Sequence, residues 1–180
     1  MNHPLITVKD KQFTHYISYA DIQSRISEMA KSLDNDLRGK DPLFIVILNG
    51  AFMFAADLLK ELSIECEVVF TRLSSYEGTS TTGELKELMG IKEHIKGRHV
   101  VILEDIVDSG TTMHLFLPML KEKQPASISI AALLIKPAAL EYPIEVNYHC
   151  FSISNEFIVG YGLDYDGYGR NLKDIYQLVE

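Results

Sequence analysis

Between residues 20 and 37 (ADIQSRISEMAKSLDNDL) apolar residues recur at three- and four-residue intervals, at Ile22, Ile26, Met29, Ala30 and Leu33, with charges between them. That spacing predicts an amphipathic helix, with Asp21 as its N-cap and Gly39 as its terminator. The period then changes. Leu43 to Leu48 is a continuous apolar run rich in β-branched residues, which suits a strand buried on both faces, as in a parallel sheet. Asn49-Gly50 signals a turn, residues 51–62 (AFMFAADLLKEL) read as a helix, and Glu67 to Leu73 as the next strand. Strand, turn, helix, strand is the crossover that defines α/β architecture.

The unit recurs. Arg98 to Glu104 reads as a strand, 105–110 as a loop, 111–123 as a helix and Ser127 to Ile135 as another strand. Pro118 removes one donor inside that helix, which predicts a kink or a late helix start. Residues 74–83 (SSYEGTSTTG) are polar and hold no aliphatic residue, so they read as a mobile loop or a surface hairpin. From Pro143 onward, short runs broken by Gly and Asp predict small strands added at one sheet edge, or a hood over it. The fold expected is therefore α/β: a mostly parallel central sheet flanked by helices, with a small hood drawn from the termini. One domain is expected over 1–180, with its core at about 40–140.

Composition narrows the functional classes. The chain has 180 residues, 47% hydrophobic and 23% charged, enough for an ordinary soluble core. Its formal net charge of −8 disfavours non-specific contact with nucleic acid or anionic membrane. Apolar runs such as Leu43 to Leu48 fall far short of the ~20 residues a membrane helix needs. The N-terminus lacks the basic-then-apolar pattern of a secretory signal. Cys66 and Cys150 are the two cysteines, which make no disulfide framework and fit free thiols in a reducing, cytoplasmic setting.

The stretch that carries chemistry is VVILEDIVDSGTT, residues 100–112. An apolar strand delivers Glu104 and Asp105, then Asp108, then Ser109-Gly110-Thr111-Thr112 opening a helix. Open parallel sheets bind ligands at the carboxyl ends of their strands, where this segment would lie. Successive N–H groups at a helix start, with three hydroxyls, form an anion cradle suited to a monophosphate. Gly110 would let the backbone approach that phosphate closely. Carboxylates beside a phosphate site hold a cation, directly or through water, or the hydroxyls of a sugar. Capping would explain Asp108 and Ser109, but not three carboxylates within five positions after an apolar strand, where like charges repel. No G-x-x-x-x-G-K-[ST] string occurs, Gly160-Tyr161-Gly162 opens no dinucleotide fingerprint, and the six histidines lack zinc-ligand spacing.

This stretch resembles the phosphoribosyl-pyrophosphate signature of the type I phosphoribosyltransferases, which implies a Rossmann-like core. Further segments resemble the hypoxanthine (hypoxanthine-guanine) phosphoribosyltransferase family: Leu133-Leu-Ile-Lys136 at a strand end, Phe157-Ile-Val-Gly-Tyr-Gly-Leu-Asp-Tyr165 followed by Arg170, Leu48-Asn49-Gly50-Ala51, and Ser75-Tyr76. They run from roughly residue 40 to 175 in the family's order. The chain departs at HCFSISNE, where Ser152 and Ser154 stand in unusual places, and at Thr111, where some members carry lysine.

The resemblance implies exchange of pyrophosphate for a purine N9 on the sugar's anomeric carbon, with Mg2+ as cofactor. The substrates implied are phosphoribosyl pyrophosphate and a 6-oxopurine, giving purine salvage. Glu104 and Asp105 would meet the ribose hydroxyls and the magnesium shell. Asp108 would act as general base or acid at N7. Ser109, Gly110, Thr111 and Thr112 would hold the 5-phosphate. Lys136 would donate to O6, Phe157 would stack on the purine and the Ile158 backbone would meet the base edge. Asp164 would join the second magnesium site beside the purine. Arg170 and Asn49-Gly50 would take pyrophosphate, and the Asn49-Gly50 bond is expected to be cis. Ser75-Tyr76 would close over the reaction. A homo-oligomer, dimer or tetramer, is expected, with no nucleic-acid or membrane partner; the apolar helix at 51–62 could supply the self-association face.

Two rivals are open to the sequence. Specificity for xanthine stays possible, since its 2-position is read by backbone groups, whereas Lys136 and the FIVGYGLDY segment speak against adenine and pyrimidines. A regulator that binds nucleic acid would need a basic face or an added domain, against which stands the charge of −8.

Overall fold

Successive strand residues point to opposite faces of a sheet, and the apolar runs use this to feed two cores at once. The structure, a computed structural model, describes residues 5–75, 85–91 and 93–179, with backbone alone for 74, 75 and 85–89. The main sheet is built from β3 (Pro42–Leu48), β4 (Glu67–Ser75), β5 (Leu85–Met89), β6 (His99–Val107), β7 (Ser127–Ile135) and β8 (Tyr148–Ser152). Their order is β5-β4-β3-β6-β7-β8, parallel throughout except for β5 at one edge.

The helices are α1 (Tyr19–Leu37), α2 (Phe52–Glu61) and α3 (Thr111–Glu122). Phe44 and Val46 of β3 and Val101 and Leu103 of β6 pack with the apolar stripes of α1 and α2. Leu43, Ile45, Val100 and Ile102 pack on the other face with Met113, Phe116 and Leu120 of α3. None of the described helices is long and apolar enough to cross a membrane.

A second sheet of order β1-β2-β10-β9 joins the two ends of the chain: β1 (Ile6–Val8), β2 (Lys11–Ile17), β9 (Ile158–Val159) and β10 (Ile175–Leu178). It is antiparallel, with Ile17 opposite Ile175 and Val159 opposite Tyr176. Phe13 and Val159 are fully buried beneath it. This is the hood. The C-terminal strands therefore do both things the sequence suggests: β8 extends the main sheet, and β9 and β10 join the hood.

Three local expectations are corrected. The N-cap of α1 is Ser18, extended at φ −75°, whose Oγ accepts from Asp21 N at 3.1 Å; Asp21 lies in the first turn, where a negative charge suits the helix dipole. Strand β6 does not stop at Glu104. Its pairing with β7 runs on to Val107 opposite Ile135, so Glu104 and Asp105 are strand residues, with no loop at 105–107. Helix α3 starts at Thr111 and carries Pro118 within it, without a late start. Pro118 is on the exposed side, where water can satisfy the carbonyl that loses its donor.

Candidate functional site

The sheet order places a crevice. From β3 the chain runs to β4 on one side and later returns to β6 on the other, so β3 and β6 flank the topological switch point. Ligands of open α/β sheets bind outside the carboxyl ends of the strands at such a point. Here those ends are Leu48-Asn49-Gly50 and the segment from Glu104 to Gly110.

Strand parity separates the two acids. Glu104 shares its face with Val100 and Ile102, toward α3, and Asp105 shares the opposite one with Val101 and Leu103. Glu104 is 8% exposed, and its Oε2 is buried without a hydrogen-bond partner. Burial, with the neighbouring Asp105 charge, pushes its carboxyl well above the usual range. Asp105 is pushed up to about 6, chiefly by burial; backbone N–H groups of Ile106 and Asp105 and the Arg170 charge pull the other way, and the Asp164 charge adds to the rise.

Asp105 points at Gly50. A Cβ on Gly50 would lie 1.6 Å from Asp105 Oδ2, so no other residue fits there without displacing the carboxylate. Gly162 of the hood lies equally tight on Gly50, for its Cβ would sit 2.1 Å from the Gly50 carbonyl oxygen. The cis peptide of this loop is Leu48-Asn49, one bond before the Asn49-Gly50 bond expected.

Downstream of β6, Glu104 and the run Ile106 to Met113 wall a cavity of about 80 Å³. That is a subsite, well below the ~300 Å³ or more of a complete small-molecule pocket. The first helical bond of α3 is His114 N to Gly110 O at 2.8 Å, so the N–H groups of Thr111, Thr112 and Met113 precede it in the cavity wall. Thr111 N donates to Ser109 Oγ at 3.3 Å, and the Ser109 and Thr111 hydroxyls are 2.8 Å apart. Gly110 lines the cavity and also shapes the backbone turn. It holds φ +82°, and a Cβ there would meet Ile144, so it turns the chain into α3.

Asp108 does not cap the helix; the N-cap is Gly110, without a side-chain bond. Its carboxylate accepts from Lys136 Nζ at 2.9 Å. Lys136 follows β7, its backbone N–H donating to Val107 O at 3.0 Å, and its side chain is 9% exposed. A half-exposed acid and a buried ammonium thus stand side by side at the cavity's edge.

The hood supplies the other wall. Asp164 Oδ1 pairs with Arg170 Nη2 at 2.7 Å, Asp164 Oδ2 accepts from Gly167 N at 2.6 Å, and Arg170 Nη1 donates to Gly162 O at 2.7 Å. Ile158 is buried in β9. Phe157 is 43% exposed, and its ring contacts among the described residues, with Phe13, Tyr165 and the Lys11 ammonium, are within the hood. Tyr76 lies outside the described residues, as does the side chain of Ser75. Sequence reasoning passed over Gly162 as a packing element; its signal was two glycines flanking a tyrosine, unusual unless the backbone there is crowded.

Among the described residues, no group of three or more His, Cys, Asp or Glu forms a metal cluster. The orphaned Glu104 oxygen and the raised Asp105 nonetheless suit a hard cation that completes its shell with water and substrate oxygens, as Mg2+ does.

The described geometry matches known proteins. The model of the phosphoribosyl transferase domain family matches residues 16–166. The chain is 41% identical over 165 residues to a hypoxanthine-guanine phosphoribosyltransferase of Streptococcus pneumoniae, covering 91% of this chain and 92% of that protein. A relative from Streptococcus thermophilus with the same name is 40% identical, covering 91% of each chain. The crystal structure of a hypoxanthine phosphoribosyltransferase from Staphylococcus aureus superposes with a TM-score of 0.88 at 36% identity, covering 92% of this chain and 90% of that one.

Two outcomes test this geometry. Gly50→Ala, folded by circular dichroism, should lose catalytic efficiency by about 10²-fold, the usual cost of misplacing a reacting group by an ångström; unchanged kinetics would mean that Asp105 tolerates displacement. The folded state binds the Asp105 proton more tightly than the unfolded state does. Ionising Asp105 therefore costs stability as pH rises from the ordinary carboxylate range through about 6. Asp105→Asn should gain on wild type by about 3 kcal/mol across that window and hold the gain above it. Thermal melts that show a pH-independent difference would refute the raised pKa.

Proposed function

The chain belongs to the phosphoribosyl transferase domain family, and we propose that it transfers the 5-phosphoribosyl group from phosphoribosyl pyrophosphate to hypoxanthine and guanine. The products are IMP or GMP and pyrophosphate, and the role is purine salvage.

One observation supports the base assignment most directly: the Asp108 carboxylate and Lys136 ammonium stand 2.9 Å apart beside the phosphate-sized cavity. A 6-oxopurine carries its O6 acceptor next to the N7 position. An ammonium beside a carboxylate matches that edge, donor to O6 and acceptor to an N7 proton. Adenine offers an amino donor at position 6, which would face the buried Lys136 ammonium donor to donor, and sites of this kind discriminate strongly.

In this reading the N–H groups and hydroxyls of Ser109 to Thr112 hold the 5-phosphate. Asp105, with Glu104 behind it, meets the ribose hydroxyls. Gly50 and Arg170 face the pyrophosphate, where the guanidinium offsets a multiply charged anion in a chain of net charge −8. As the glycosidic bond forms, Asp108 accepts or returns the N7 proton. Phe157 covers the purine face from the hood, and the Ile158 backbone meets its edge. Bound Mg2+, held near Glu104, Asp105 and Asp164, would neutralise the leaving pyrophosphate. Ser75 and Tyr76 would exclude water. The free Cys66 and Cys150 fit a cytoplasmic setting. Exposed Phe52 and Phe70 fit a homo-oligomer.

An assay of hypoxanthine, guanine, xanthine and adenine with phosphoribosyl pyrophosphate and Mg2+ should show turnover with the first two and none with adenine. Adenine turnover would remove Lys136 from the O6 role. Asp108→Asn should lower kcat by about 10² to 10⁴, the range for loss of a general acid or base; near-wild-type kcat would dismiss it. Lys136→Ala should raise the purine KM while leaving the KM for the sugar pyrophosphate nearly intact, and equal losses in both would indicate misfolding instead.

A further inference from the structure

Tyr161 lies between Gly160 and Gly162 in the hood, fully buried, at φ +48°. That left-handed region is disfavoured for a residue with a Cβ and persists where the surroundings dictate it. Its hydroxyl donates to Asp57 Oδ2 at 2.6 Å. Gln23 Nε2 donates to the same Asp57 oxygen at 2.8 Å and to the Tyr161 hydroxyl at 3.2 Å. Lys60 Nζ donates to Asp57 Oδ1 at 2.7 Å. The hood turn, α1 and α2 thus meet on one carboxylate.

The position of that carboxylate matters. Helix α2 begins at Phe52, directly after Asn49-Gly50, so Asp57 is rigidly tied to the loop that faces Asp105. On the other side, the Tyr161 turn is bonded to the loop segment that carries Arg170: Tyr161 N donates to Leu172 O at 2.8 Å and Gly162 N to Arg170 O at 3.0 Å. Gly162 then abuts the Gly50 carbonyl. The backbone bonds of Tyr161 and Gly162 fix the turn within the hood. The phenol of Tyr161 fixes it to the element that carries Gly50.

Resting on the phosphoribosyltransferase reading, we propose that Tyr161 and Asp57 are positioning residues for the pyrophosphate half of the reaction. Their hydrogen bond sets the depth at which the Gly160–Gly162 turn seats on Gly50, and hence where Arg170 and Asp164 stand relative to Asp105. Neither side chain touches substrate; both act through the turn. The purine pair Asp108 and Lys136 follows β6 and β7 and does not depend on this seat, and Phe157 and Ile158 are held in the hood by their own pairing with β10. Binding of the two substrates should therefore respond differently when the bond is removed.

A tyrosine with a purely structural role would give a different result, and the molecule contains a half-buried one for comparison. Tyr148 of β8 donates to Asp36 Oδ2 of α1, also at 2.6 Å, on elements that supply no proposed site residue. Tyr161→Phe keeps the ring and removes only the hydroxyl. We expect it to raise the KM for phosphoribosyl pyrophosphate about tenfold, as for loss of a hydrogen bond to a charged group, with the hypoxanthine KM little changed. Asp57→Asn should act in the same direction. Tyr148→Phe should lower the melting temperature without moving either KM. If Tyr161→Phe leaves the sugar-pyrophosphate KM unmoved, or raises both KM values alike, the positioning role is refuted while wild-type turnover keeps the enzyme assignment. If wild type shows no turnover, that assignment fails. Amide exchange at Gly50 and Gly162 then decides the seat alone: faster exchange in Tyr161→Phe but not in Tyr148→Phe supports it, and equal exchange refutes it.

Discussion

A missing side chain organises this molecule. Gly50 presses its backbone against the Asp105 carboxylate, and Gly162 presses in turn against the Gly50 carbonyl. Three stretches far apart in sequence are thereby stacked at one point, outside the carboxyl ends of β3 and β6. Everything the site needs is measured from that stack. The phosphate cradle continues from β6, Lys136 leaves the neighbouring β7, and the hood's Asp164–Arg170 pair arrives with Gly162. The two cores on either face of the sheet hold β3 and β6 in register, which fixes the stack from below.

Electrostatics explains why such a crowded point is useful. An acidic chain that handles highly charged anions must invert its own sign locally. It does so with dipoles and paired charges instead of a basic surface: amides open at the start of α3, a guanidinium folded back onto Gly162, and an ammonium buried beside Asp108. The burial that pushes Glu104 and Asp105 up has the same logic. Carboxylates that are poorly solvated and poorly paired welcome a cation, because it relieves a cost already built into the fold.

The sequence was most readable where burial leaves one solution. Strand β7 was placed correctly at both ends, and β3 within one residue, because short apolar runs rich in β-branched residues and bounded by turn signals suit strands inside a covered parallel sheet. It was least readable where charge looked like an ending. Asp105 suggested the start of a loop, yet the ladder with β7 continues past it, since neighbouring strands supply the pairing whatever the side chains carry. Strand β5 (LKELM) is made of helix formers and was not assigned. The hood strands near the N-terminus gave no signal either, for β2 exists through pairing with β10 at the opposite end of the chain. At the site, the acids and the phosphate loop announced themselves. The salt bridge between Asp108 and Lys136 and the contact of Gly50 with Asp105 are tertiary facts with no local trace.

That hood has a temporal side. Strand β2 precedes the main sheet in the chain and its neighbour β10 follows it, as do Gly162 and Arg170. While the ribosome is still adding residues, the emerging main sheet can already form β3 to β8, yet the crevice above Gly50 has no roof. Catalytic competence thus waits on residues made after the main sheet, and a nascent chain released before them would own a phosphate cradle without the means to grip pyrophosphate.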